Sequence, residues 1–158
     1  MENIVVQRFV AASKAAEAAV LAVSTANAKA TEAMENAQKL RAIADQANAN
    51  LDYARNICNT YLQQMNVMSK KLQALREAGD VQALAEILPE ATKLKSDFQN
   101  AHEVFQQAFK LAERANANFE RAYVVACNLV TEAERLSGEA QKALDYAHEL
   151  SKQAAAAC

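Results

Sequence analysis

Every third or fourth residue of this chain is apolar from Val5 to Leu75, and again from Leu84 to Ala157, with no break in phase. In the first stretch, alternating steps of four and three fall on 21 positions from Val5, Phe9, Ala12 and Ala16 through Ala37, Leu40, Ala44 and Ala47 to Met68, Leu72 and Leu75. None is polar. In a chain 52% hydrophobic, such a run would arise by chance on the order of once in a million tries for a given phase. The second stretch repeats it from Leu84, Ile87 and Ala91 through Ala126, Leu129 and Ala133 to Leu150, Ala154 and Ala157. A loop does not advance the chain by a helical step, so a loop inside either stretch would reset the phase. The pattern therefore predicts an all-α fold built from two very long heptad-patterned arms.

Turn residues agree with that division. Between Met1 and Ala78 there is no Gly or Pro, and Gly79-Asp80 followed by Pro89 is the one place where breakers cluster. Gly79 is suited to the left-handed C-terminal cap of a first helix, Asp80 to the N-cap of the next, and Pro89 to a kink or a fresh helix start. The predicted organisation is a single helical domain over 1–158: arm one at 2–78, a turn at 79–89 and arm two at 90–157. The arms would pair as an antiparallel coiled-coil hairpin. The alternative folds each arm at its Asn-rich points, Asn27 or Asn48 and Asn50, into a compact four- or five-helix bundle.

An internal repeat supports two arms. Ala47-Asn48-Ala49-Asn50-Leu51-Asp52 returns as Ala115-Asn116-Ala117-Asn118-Phe119-Glu120, a shift of 68 residues that also carries Ala33 to Ala101, Gln38 to Gln106 and Ala54 to Ala122. Seam positions land on seam positions. Duplication of one long helix explains the match; general likeness between Ala-rich amphipathic helices is the competing explanation.

Charge and cysteine content narrow the functional classes. The net charge is −2, with both signs interspersed and pairs such as Glu35 and Lys39 at helical spacing, so the charges read as a solvated face. No basic block exists to follow a phosphate backbone, and nucleic acid is not an expected partner. The apolar run Ala18–Val23 is too short to span a bilayer, and Arg8, Lys14 and Glu17 interrupt the region where a secretion signal would need its apolar core, so neither a transmembrane segment nor export is expected. Three widely spaced cysteines, Cys58, Cys127 and Cys158, fit a reducing cytoplasm. In a hairpin Cys58 would come near His102 and Cys127 near Ala33, so those two would not meet; Cys158 reads as the free thiol.

Catalytic chemistry is not expected, because two smooth seams provide no cleft where polar groups converge. The nearest approach to a di-metal pattern is Asp145-Tyr146-Ala147-His148, with Asp in place of Glu, while the second histidine, His102, follows Gln99 by three residues. Both histidines lie off the seam. No metal, cofactor or phosphate-binding motif is predicted.

About half the seam is alanine. A buried Ala contributes about 0.8 kcal/mol, against about 1.5–3 for a buried Leu, so an isolated two-helix hairpin with such a seam would be marginal. Yet the shoulders beside the seam are apolar too, among them Val20, Leu21, Ile43, Leu111 and Leu144. Two segments, Asn56–Ser69 and Ala122–Thr131, lack charge altogether. The residues expected to contact a further copy or an apolar surface are Ile57, Leu62, Val67, Phe109, Tyr123, Val124, Val125 and Val130. Self-association into a homo-oligomer or filament is the first functional expectation.

From Lys71 to Ala122, Leu72-Gln73-Ala74-Leu75-Arg76-Glu77-Ala78-Gly79-Asp80-Val81-Gln82-Ala83-Leu84 leads into Phe98, Phe105, Phe109 and Ala-rich helix. This third of the chain resembles the phasins, helical Ala-rich proteins that cover polyester granules, with a short break before a long amphipathic helix. The resemblance implies a non-enzymatic coat protein whose apolar shoulders face a storage granule or lipid surface. A membrane-active bundle shares the amphipathic logic, but the chain has no basic face to match it.

Overall fold

The computed structural model describes residues 2–156. Two α-helices, α1 (Glu2–Glu77) and α2 (Val81–Ala156), account for all of them but three, and they pack against each other as a helical hairpin. Among the described residues there is no strand.

The turn is shorter than the sequence suggests because one residue serves both helices. Gly79 takes φ +70°, a conformation that costs an L side chain about 1–2 kcal/mol. In that geometry the Asp80 amide donates to the Leu75 carbonyl at 3.1 Å and the Gly79 amide to that of Arg76 at 3.1 Å, the pair of bonds that closes a Schellman cap. Asp80 then opens α2: its Oδ1 accepts from the Ala83 amide at 3.0 Å, and its carbonyl accepts from the Leu84 amide at 3.1 Å. The expected turn at 79–89 is thus corrected at its far end. Residues 81–88 are helical, and Pro89 lies inside α2 rather than at its start.

The Asn-rich points do not bend the chain either. Helix α1 runs through Asn27, Asn48 and Asn50, and α2 through Asn116 and Asn118, so the bundle alternative is not what forms. Long-range packing overrides the weak helix preference of Asn, as it usually does in amphipathic helices.

Burial follows the heptad phase closely. The buried apolar residues among those described are Ala12, Ala16, Ala30, Ala37, Ala44, Leu51, Ala54, Ile87, Ala112, Ala126, Ala133, Ala140, Ala147 and Leu150, and every one is a predicted seam position. No described seam position is exposed; Ala157 lies outside the described residues. Only Leu51, Ile87 and Leu150 in that set are larger than alanine, and no large side chain among the described residues is fully buried. The seam consequently gains close helix approach rather than a thick core.

By its internal packing the hairpin divides into two units, Met1–Leu40 with Phe119–Cys158, and Arg41–Asn118. In the first, Ala12, Ala16, Ala147 and Leu150 form a buried cluster against which Phe9 and Ala143 pack. In the second, which holds the turn, Ala44, Leu51, Ala54, Ile87 and Ala112 are buried and a side-chain amide pair, Asn48 with Asn116, bridges the two helices.

Candidate functional site

The charged groups among the described residues stay in water. The ion pairs among the described residues are Arg41–Asp45, Arg55–Asp52, Arg135–Glu132, Arg135–Glu139 and Lys152–Glu149, each within one helix and with both side chains about half exposed or more. Glu35 and Lys39 are not among them. Arg135, hydrogen-bonded to Glu132, holds that carboxyl below its ordinary value. No charged or polar residue is buried, and no group of three or more His, Cys, Asp or Glu side chains gathers among the described residues. Cys58 and Cys127 are free and half-buried, which makes Cys58 a seam-edge residue rather than a fully enclosed one; Cys158 lies outside the described residues.

His102 has a packing role that spacing alone did not suggest. Its ring stacks between Phe98 and Phe105, with centroids at 6.0 and 6.3 Å, and Phe105 continues to Phe109 at 6.5 Å. Steps of three and four put these rings on one side of α2. Gln106 Nε2 lies 3.0 Å from His102 Nε2.

Apolar surface is what the hairpin offers instead. In the turn-side unit, Leu62, Val67 and Phe109 are exposed; in the other unit, so are Tyr123, Val124 and Val125, with Val124 at 57%. Ile57 and Val130, the other two candidate contact residues, are half-buried. Each directly neighbours a seam residue, Cys58 or Leu129, and positions flanking a heptad seam are partly covered by the opposing helix. Val130, for instance, lines a groove together with Asn27, Ala30 and Thr31 of α1. Of the eight predicted contact residues, four belong to each unit.

The same shoulders carry exposed residues beyond those eight, including Ile4, Val6, Val10 and Tyr53. Near the N-terminus, α1 holds an 18-residue window of mean hydropathy 1.3, 6% buried, long and apolar enough by length and composition to cross a membrane. The unbroken apolar run within this region, Ala18–Val23, is far shorter than that window. An Ala-rich seam flanked by Val and Leu shoulders raises a window average in the same way.

Two open grooves follow the seam and are mostly apolar. One, in the unit of the chain ends, is lined by Ser13, Ala16, Val20 and Leu21 of α1 with Leu144 and Ala147 of α2. The other, in the turn-side unit, has Ile43, Ala47 and Asn50 on one wall, and Leu111, Ala115 and Asn118 on the other. Each of these last residues is the 68-residue repeat of its counterpart. The signal that would have located this groove was present in the repeat, but it needed the pairing register of the arms, which phase alone does not supply.

Comparison with known families, curated proteins and solved structures returned no match to this chain.

Proposed function

We propose that this chain is a non-enzymatic structural coiled-coil protein that self-associates into a homo-oligomer or filament, using the shoulders beside its Ala-rich seam. The observation that carries this reading is a mismatch between core and surface. The seam is already closed, mostly by alanine, while nineteen large apolar side chains among the described residues stay exposed. Scattered singly, such residues are ordinary; in rows along both helices they mark a surface meant to be covered. At about 25 cal/mol per Å² of apolar surface removed from water, covering even part of them adds more than the thin alanine seam can supply alone.

Multi-angle light scattering on the purified full chain at micromolar concentration tests the proposal. The expected mass is at least twice 17.2 kDa; a single-chain mass throughout the range rejects self-association.

A second reading, a phasin-like coat on a storage granule or lipid surface in the cytoplasm, draws support from the Phe98-His102-Phe105-Phe109 ladder, which falls within the phasin-like stretch. Retention on polyester or oil beads, with Val124→Glu/Val125→Glu as comparison, separates the two. A coat protein loses retention when that pair becomes charged, and equal retention counts against the coat.

A further inference from the structure

In the turn-side unit the 68-residue repeat becomes a spatial symmetry. Asn48 and Asn116 are equivalent under the shift, and they bond reciprocally: Asn48 Nδ2 donates to Asn116 Oδ1 at 3.2 Å, and Asn116 Nδ2 to Asn48 Oδ1 at 3.1 Å. Two antiparallel helices of like sequence are related by a two-fold axis that passes between them, perpendicular to both. A reciprocal contact between equivalent residues marks where that axis runs.

The axis leaves the hairpin on its other face through the groove of Ile43 and Leu111. Asn48 follows Ala47 by one residue, about 100° around the helix, whereas Ile43 and Asn50 sit roughly 40° and 60° in the opposite sense. One face thus carries the amide pair together with the ion pairs Arg41–Asp45 and Asp52–Arg55. The opposite face has a floor of Ala47 and Ala115, walls of Ile43 (57% exposed) and Leu111 (61% exposed), and a single charged lining residue, Arg114. The apolar floor and walls are bordered by polar side chains, Gln46, Asn50, Arg114 and Asn118, so the groove is an apolar strip with a polar margin.

We propose that this groove seats the same groove of a second copy, so that two hairpins stack face to face with their local axes coincident and form a four-helix layer. The inference deepens the self-association reading and rests on it. Symmetry selects the occupant. A lone helix has one direction and can match only one half of a groove whose halves run oppositely, while a second hairpin matches both at once. Shape is self-complementary as well, because the Ile43 and Leu111 ridges of one copy find the small Ala47 and Ala115 floor of the other, as an isologous interface requires.

The groove also continues the seam of the hairpin, so the second copy extends a helix–helix packing already present instead of starting a separate one.

The test is light scattering over a micromolar concentration series on the full chain, comparing wild type with Ile43→Glu/Leu111→Glu and with Leu88→Glu/Val104→Glu, a matched pair of exposed apolar positions outside the groove. Wild type and the outside pair are expected as oligomers. The groove pair should fall to single chains at the same concentrations, with a dissociation constant at least a hundredfold weaker and an unchanged helical circular dichroism signal. If glutamate lowers that signal, Ile43→Ser/Leu111→Ser gives the same readout without new charge. An oligomeric wild type whose mass survives either groove pair overturns the groove while leaving self-association standing; equal loss of mass in the outside pair also overturns it. A wild type that is a single chain at every concentration overturns both readings. Retention of that single chain on oil beads, abolished by the groove substitutions, would make the occupant a lipid surface and not a second copy.

Discussion

Ala126→Asp is expected to lower the stability of the hairpin by about 3 kcal/mol or more, while the same change at Ala49 lowers it by less than about 1 kcal/mol. The two substitutions carry the same loss of helix propensity, so the difference isolates burial. Ala49 is exposed. Ala126 has 0% of its surface in contact with solvent. In its unit, Ala16 packs with Ala147, and Ala30 lines a groove with Ala133. That register brings Ala126 level with Ala37, which is 1% exposed. Two buried alanines at one level of the seam leave no room for a carboxylate, and among the described residues no buried polar group is present to receive one. Desolvation favours the neutral acid, so the introduced group has a folded pKa above its unfolded one. The deficit relative to Ala49→Asp should then be full at neutral pH and shrink as pH falls through the carboxyl range. Urea unfolding at one fixed protein concentration measures both effects, and equal losses at the two sites would contradict the seam.

Pro89→Ala should act in the opposite direction, raising stability by about 3 kcal/mol. Pro89 has no amide hydrogen to give to the Ala85 carbonyl four residues earlier, yet α2 continues on both sides of it. Its presence inside the helix is tolerated because the Asp80 cap starts the helix upstream and Ile87 is held on the seam. Alanine restores the missing bond and removes the ring clash. The same unfolding assay reads the gain, and amide exchange over residues 81–88 should slow with it. An unchanged midpoint would mean that α2 effectively begins at Pro89, as the bare sequence suggests.

Pro89 and the Asn clusters show where sequence reading loses sight of the structure. A proline near a turn reads as a helix start because that is where its fixed φ costs least. Nothing local says that an aspartate nine residues earlier has already opened the helix and that packing carries it through. Asn48 and Asn50 read as bends for a related reason: asparagine disfavours helix interiors unless its amide finds a partner, and Asn48 finds one 68 residues away at Asn116 while Asn50 accepts from Gln46 in its own helix. By contrast, the seam was fully legible. Period and phase decide which face of a helix is buried, and the fourteen buried residues among those described are all seam alanines, leucines or isoleucines. Gly79 and Asp80 were legible too, since glycine is the usual residue in a left-handed C-cap and aspartate is one of the few types that cap a helix N-terminus. What phase cannot give is which residue of one arm lies opposite which of the other. How far the opposing helix covers the shoulder residues Ile57 and Val130, and where the repeat makes a symmetric groove, both depend on that register.

Register is therefore the quantity to measure. With Cys58, Cys127 and Cys158 changed to Ser, the pair Asn48→Cys/Asn116→Cys is treated with a short thiol-to-thiol cross-linker and compared with Asn48→Cys/Phe109→Cys, displaced by one heptad. Two uninterrupted helices meeting at Asn48 and Asn116 predict a link within single chains for the first pair, seen as altered mobility at monomer mass on a denaturing gel, and little for the second. Preferential linkage of the displaced pair, or linkage of the first pair only between chains, would contradict the hairpin and the axis through it.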